Sequence, residues 1–80
     1  MPDSGLLNFS TVMVIPGEYI ANFAYDANSQ LEYEGYAPYG SATSSNVWTI
    51  KKYVYSSNLL STVRIARNVD WDSRTSHTYS

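Results

Sequence analysis

A predicted β-hairpin near the middle of the chain is the feature that most constrains its fold. Two runs rich in β-branched and aromatic residues, 47–55 and 59–67, flank the dipeptide Ser57-Asn58. Asn readily adopts the left-handed conformation that a two-residue hairpin turn requires. Apolar side chains also recur at alternate positions of both runs, which is the pattern of a half-buried strand. Residues 47–67 are therefore predicted to form an antiparallel hairpin.

The two faces of this hairpin differ if Ser56 pairs with Leu59. The expected core face collects Trp48, Ile50, Lys52, Val54, Leu59, Val63 and Ile65. The second face collects Thr49, Lys51, Tyr53, Tyr55, Leu60, Thr62 and Arg64. Lys51 and Arg64 would lie opposite each other, and like charges across a ladder destabilise the pair unless an acid such as Glu32 or Glu34 lies nearby. The residue types leave three uses open for the second face: an outer solvent face, a protein-contact face, or a face that stacks nucleic-acid bases on tyrosine rings.

The rest of the chain also has the composition of short strands separated by turns. Strands are predicted at 6–15, 18–25 and 31–37, an ordered loop at 38–46, and a short last strand or docked extension at 68–80. The sequence thus predicts an all-β fold: a small antiparallel sheet, or a sandwich or barrel, of about five to six strands with an N-terminal strand pair or arm. We expect one small β domain over residues 1–80, with variable N-terminal strands at 1–30 and a β core at 31–80.

The length and composition exclude several kinds of stabilisation and chemistry. A chain of 80 residues has a marginal core, and folds of this size usually gain stability from disulfides, a metal or association. There is no cysteine and only one histidine, His77, so we expect no disulfide, no metal, no cofactor and no catalytic site. Asp70 and Asp72 could share a cation, but alternate acids are more often solubilising. Association with other chains is the stabiliser that remains.

The charge distribution bears on the class of partner. The net charge is −2, and we expect the acidic and basic residues to be scattered over the surface. A dedicated nucleic-acid binder would instead show a basic stripe. No apolar run approaches the roughly 20 residues of a membrane helix, so no membrane partner is expected.

Tyrosine is unusually frequent, at eight residues. Its ring can be buried while its hydroxyl stays in water, which suits contact surfaces, although β-propensity alone also explains the excess. We expect a protein interface formed by Phe9, Met13, Tyr36, Tyr39, Lys51, Tyr53, Tyr55 and Arg64.

The chain from Tyr33 onward resembles a known group of proteins. A small-residue loop at 40–45 follows Glu-Gly-Tyr-Ala-Pro at 34–38 and precedes Trp-Thr-Ile-Lys-Lys-Tyr at 48–53. Trp-Asp-Ser-Arg at 71–74 and Thr-Tyr-Ser at 78–80 close the pattern. In this order the segments resemble short, uncharacterised β-rich proteins encoded among the structural genes of tailed bacteriophages. The chain departs from that pattern where Leu59-Leu60 replaces an expected glycine and where Arg67-Asn68-Val69 replaces an acidic turn.

The resemblance implies a virion component without enzymatic activity, made in the host cytoplasm. We expect a capsid cement or decoration subunit that binds the major capsid protein, or a tail protein, and that forms a homo-oligomer or multi-copy assembly. The alternatives are a neck, tail or fibre accessory protein, or a small glycan- or receptor-binding module that uses Trp71 and the 38–46 loop.

Overall fold

The computed structural model describes residues 9–15, of which it gives the backbone, and residues 19–80. These residues form one five-stranded antiparallel sheet with strand order β1-β2-β3-β4-β5. The strands are β1 (Phe9–Ile15), β2 (Tyr19–Tyr25), β3 (Leu31–Pro38), β4 (Trp48–Ser56) and β5 (Leu59–Val69). A three-residue 3₁₀ helix, Arg74–Ser76, follows. The all-β prediction is confirmed, and the arrangement is an open sheet with β1 and β5 at its two edges.

The predicted central hairpin is present and its turn is where the sequence places it. Ser56 pairs with Leu59 and Tyr55 pairs with Leu60. Ser57 and Asn58 between the strands have positive φ angles of 53° and 66°. These left-handed conformations match the right-handed twist of the two strands, as in a type I′ turn.

The predicted register of the hairpin is wrong beyond its first two pairs. Ser61 is an extra residue in β5, because Tyr55 pairs with Leu60 while Val54 pairs with Thr62. This β-bulge shifts the following pairs by one residue, so that Lys51 faces Ile65 and Lys52 faces Arg64; a second irregularity at Asn68 then pairs Trp48 with Val69. The expected opposition of Lys51 and Arg64 is therefore absent.

The bulge also changes which β5 side chains reach the core. Val63 and Ile65, predicted to lie beside Ile50, point to the opposite side of the sheet, and Ala66 takes their place across from Ile50. Leu59, another predicted core residue, precedes the bulge and pairs with Ser56 as predicted, but it lies at the hairpin tip and is 73% exposed. Since side chains alternate along a strand, inserting a single residue is enough to exchange the two faces.

One side of the sheet, here called the core face, carries the buried strand residues except Ala21. Trp48 and Ile50 are fully buried there. Cross-strand pairing places Tyr33, Gly35 and Ala37 of β3 beside them. The members of the core face are Ile20, Asn22, Ala24, Tyr33, Gly35, Ala37, Trp48, Ile50, Lys52, Val54, Thr62, Arg64 and Ala66.

The C-terminal segment, residues 70–80, covers the core face. Trp71 is only 2% exposed, and its ring centroid lies 5.8 Å from that of Trp48. The Tyr79 ring packs on Tyr33 at 5.9 Å between centroids. The segment is held by backbone bonds from Trp71 and Asp72 N–H to the carbonyl of Thr43, at 2.9 and 3.1 Å. Of the two predicted forms of this segment, a short last strand or a docked extension, the structure shows the docked extension, which completes the small core that a single sheet cannot enclose.

The described residues contain no helix that could cross a membrane.

Candidate interaction surface

The second side of the sheet, here called the tyrosine face, differs from the core face in composition and in what packs on it. Its members are Tyr19, Ala21, Phe23, Glu34, Tyr36, Thr49, Lys51, Tyr53, Tyr55, Val63, Ile65 and Arg67. Tyr19 is 48% exposed and Val63 is 45% exposed. Phe23 and Tyr53 are half-buried. The described contacts of the 39–47 loop and of residues 70–80 go to the core face or to the outer edge of β5.

Glu34 organises the centre of the tyrosine face. Its carboxylate accepts hydrogen bonds from the hydroxyls of Tyr53, at 2.6 Å, and of Tyr36. Glu34 and Lys51 lie directly opposite each other on β3 and β4. The two phenol rings are thus fixed on either side of one carboxylate. Because they are already ordered, each loses less conformational entropy when a partner binds.

These hydrogen bonds change the ionisation of both tyrosines. Burial, followed by the hydrogen bond to Glu34, raises the pKa of Tyr36 to about 12. The hydrogen bond to Glu34, followed by burial, raises the pKa of Tyr53 to about 12. A phenolate beside a carboxylate is unfavourable, so both hydroxyls stay protonated and act as donors at neutral pH.

Four of the residues predicted from sequence meet on this surface. Tyr36, Lys51, Tyr53 and Tyr55 all belong to the tyrosine face, and the last three were predicted to share the second face of the hairpin. The Tyr55 hydroxyl donates to the carbonyl of Leu31 at 2.8 Å.

The other four predicted interface residues lie elsewhere. Tyr39, 62% exposed, is in the loop that follows β3. Arg64 is exposed on the opposite side of β5, because the bulge at Ser61 turns it toward the core face. Phe9 and Met13 belong to the edge strand β1, and their side chains lie outside the described part of the chain.

An open groove of about 390 Å³, which the sequence did not indicate, lies where β3 and β4 separate. Their pairing runs from Tyr36↔Thr49 to Tyr33↔Lys52 and ends there. Beyond that point the β2–β3 turn forms one wall and the tip of the β4–β5 hairpin forms the other. The lining residues are Asp26, Asn28, Gln30, Glu32, Lys52, Tyr53, Val54, Tyr55, Ser57 and Asn58.

Trp71, expected to be available for a sugar, is buried. The Trp71 ring packs so closely on Gly35 that a Cβ atom there would clash with it. Arg74 also covers the ring, with its guanidinium carbon 4.7 Å from the ring centroid. A tryptophan enclosed in this way has no free face on which a sugar could stack, so that version of the glycan hypothesis is wrong.

The acidic and histidine side chains of the C-terminal segment form a structural contact. His77 Nε2 lies 2.8 Å from the carbonyl oxygen of Asp70 and 3.1 Å from its carboxylate Oδ1. Ser73 N–H donates to the same carboxylate. Within residues 9–15 and 19–80, no group of three His, Cys, Asp or Glu side chains is placed to hold a metal ion.

Comparison of the chain with protein-family models, with curated proteins and with solved structures finds no match.

Proposed function

We propose that this chain is a non-enzymatic structural protein of a bacteriophage virion, a capsid cement or decoration subunit that binds the major shell protein through the tyrosine face. The resemblance of residues 33–80 to proteins encoded among phage structural genes suggests the setting. The observation that supports an assembly role is the difference between the two sides of the sheet. One side is closed by the chain's own C-terminal segment, and the other presents ordered tyrosines and aliphatic residues.

The chemistry of the tyrosine face suits a protein partner. Protein interfaces are enriched in tyrosine and arginine at their centres, and a few ordered aromatic residues supply most of the binding energy. Tyr36 and Tyr53 are held in place by Glu34 before any partner arrives. A marginal domain of this size also gains stability when a partner binds its folded state.

The decisive experiment measures incorporation into particles. We would substitute Tyr36 and Tyr53 together with serine and quantify the copies per shell subunit by mass spectrometry of purified particles. Truncating central interface residues costs about 2 kcal/mol or more, which corresponds to roughly thirtyfold weaker binding. Thr75→Arg is the matched control, because Thr75 is exposed on the C-terminal segment that covers the core face.

The copy number of the unmodified chain separates the structural roles. One copy per shell subunit, or a simple fraction of this, fits cement or decoration. A few copies per particle would replace this role with a neck, tail or fibre accessory. Undiminished incorporation of a folded Tyr36→Ser, Tyr53→Ser variant would contradict the interface assignment, and absence of the chain from particles would contradict the virion role.

A second candidate function, a glycan-binding module, is favoured by the groove between β3 and β4. Its walls combine carboxylates and amides with the tyrosines of β4, and such groups can hydrogen-bond sugar hydroxyls. Its test is a glycan-array screen of the purified chain, with Asn28→Ala as the groove variant. Binding that is unaffected by this change would remove the groove from consideration.

A further inference from the structure

Four of the five basic side chains are concentrated in the β4–β5 hairpin rather than scattered. The β4–β5 hairpin, residues 48–69, contains Lys51, Lys52, Arg64 and Arg67 and no acidic residue. Its formal charge is +4, whereas the rest of the chain, with seven acids and Arg74, carries −6. In the part of the chain that the structure describes, none of the four hairpin cations forms an ion pair.

The outer edge of β5 has backbone groups directed away from the sheet. Ile65 and Ser80 exchange two hydrogen bonds: Ile65 N–H donates to Ser80 O at 3.0 Å, and Ser80 N–H donates to Ile65 O at 3.2 Å. The N–H and C=O of Ile65 therefore point outward. Because this direction alternates along an antiparallel strand, the N–H and C=O of Val63 and Arg67 point outward as well. Among the described residues, Ser80 alone bonds this edge from outside the sheet.

The side chains beside this edge are unusually apolar. Leu59 and Leu60 are 73% and 53% exposed, and Val63 lies next to them. Edge strands are commonly short or protected by inward-pointing charges, proline or a covering segment. At 11 residues β5 is long, and over Leu59–Arg64 it has an open edge with aliphatic contacts.

We propose that the β5 edge binds an extended acidic segment of a partner protein by strand addition. The outward groups of Val63 pair with the partner backbone, the aliphatic residues at the hairpin tip contact its apolar side chains, and Arg64 and Arg67 attract its carboxylates. This inference rests on the proposed function only in requiring a protein partner. Val63 and Arg67 lie where the β5 edge meets the tyrosine face, but strand addition at this edge does not need Tyr36 or Tyr53, so either proposal can fail without the other.

The charges decide between this partner and a second copy of the chain. Antiparallel pairing of two β5 edges would bring two sets of Arg64 and Arg67 together with no acid from either hairpin. Like charges across a ladder are destabilising. An acidic strand meets the same edge with complementary charge.

The test is a titration followed in amide nuclear magnetic resonance spectra of the whole chain. The probe is a blocked peptide, Thr-Glu-Val-Glu-Val-Glu-Thr, and the control is the same peptide with lysine for glutamate. The acidic peptide is expected to shift the Val63 and Arg67 amide signals and to bind at least tenfold more tightly than the lysine peptide. Its affinity is expected to fall as salt is added, since exposed charges are screened.

Three variants test the backbone and charge contributions separately. Arg64→Gln with Arg67→Gln is expected to weaken binding about tenfold. Val63→Pro removes an outward N–H that no strand of the sheet uses, so it is expected to abolish binding while the fold is retained. Val63→Thr keeps the N–H and is expected to bind as the unmodified chain does.

Several results would overturn the proposal. One is equal affinity for the two peptides, and another is the absence of shifts at millimolar peptide. Binding of a ten-nucleotide thymidine strand through Arg64 and Arg67, without binding of the acidic peptide, would make the edge a nucleic-acid site. Self-association that Val63→Pro removes would make it a contact between copies. Binding of the acidic peptide by the Tyr36→Ser, Tyr53→Ser variant isolates this edge from the tyrosine face.

Discussion

Trp71 packs directly on the backbone of Gly35. A Cβ atom at Gly35 would lie 2.6 Å from Cε3 and 2.7 Å from Cζ3 of the Trp71 ring, and 3.2 Å from Cε3 of Trp48. Real Cβ atoms do not approach ring carbons so closely. The absence of a side chain at this one position of β3 is therefore what lets the C-terminal segment reach the sheet.

We predict that Gly35→Ala destabilises the fold by about 1–3 kcal/mol, the usual cost of overpacking a well-filled core. The methyl group must displace Trp71 or bend β3, and Trp71 is held by its backbone bond to Thr43. Urea unfolding followed by tryptophan fluorescence measures the change.

Two further variants separate the steric effect from the loss of glycine itself. Gly40→Ala meets no atom within 4 Å but has a φ of +90°, so it is expected to cost only about 1 kcal/mol. Trp71→Ala is expected to cost about 3–5 kcal/mol. In the Trp71→Ala background, Gly35→Ala should cost much less than it does alone, and additive effects would contradict the contact.

The hairpin turn offers a stabilising substitution. Ser57 holds a φ of 53°, a conformation that costs a residue with a Cβ about 1–2 kcal/mol and glycine almost nothing. Ser57→Gly is therefore expected to raise the free energy of unfolding by about 0.5–1 kcal/mol, after the extra entropy of glycine in the unfolded chain is subtracted. Ser56→Gly, in the extended strand one residue earlier, is the control and is expected to destabilise. A loss of stability in Ser57→Gly would contradict the turn geometry.

The hydrogen-bonded tyrosines make the free energy of unfolding depend on pH in the alkaline range. The pKa of Tyr36 and Tyr53 is raised from 10.0 to about 12 in the folded chain. A raised folded pKa contributes stability that is fully present below pH 10 and is lost as the pH rises from about 10 to 12. Burial also raises the pKa of Tyr79 to about 12, which adds to the loss in the same range.

Unfolding free energies measured at intervals from about pH 9 to 12 test this dependence. The loss is expected to be smaller in Tyr53→Phe, which has no phenolic proton to lose. In Glu34→Gln the phenolate absorbance of Tyr36 and Tyr53 is expected to appear at lower pH, since the neighbouring negative charge is gone. An unchanged absorbance profile in Glu34→Gln would contradict the role of Glu34.

The hydrogen bond between Ser73 and the Asp70 carboxylate makes the free energy of unfolding depend on pH in the acidic range. Hydrogen bonding with Ser73 is the main cause that lowers the pKa of Asp70 below the ordinary 3.8. A lowered folded pKa contributes stability that is present above about pH 4 and is lost as the pH falls through the folded value. Asp70→Asn is therefore expected to lose less stability than the unmodified chain between about pH 4 and 2. Parallel acid-unfolding curves of the two proteins would contradict this contribution.

The strands and the central turn could be predicted because their signals are local. Alternating side chains and turn residues identify β2, β3, β4 and β5 to within one or two residues of their ends. The Ser57-Asn58 turn follows from its position between two alternating runs.

The register and the core cover could not be predicted, because neither has a local signal. Ser61 is an ordinary strand residue, and nothing in its neighbourhood marks it as a bulge. The close contact between Gly35 and Trp71 joins residues 36 positions apart in the chain. The predicted interface residues Tyr36, Lys51 and Tyr53 do share one face, because β3 and β4 pair without a bulge. Arg64 was misplaced because it follows Ser61.

The position of Trp71 and Tyr79 in the sequence has a consequence for the order of folding during synthesis. All five strands leave the ribosome before these two rings do, and they emerge at about 5–20 residues per second. Until Trp71 and Tyr79 have docked, Trp48 and Ile50 have no covering layer, and the sheet presents its apolar side to the solvent. Docking of residues 70–80 on the sheet thus marks the point at which the folding chain stops being a target for chaperones and for aggregation.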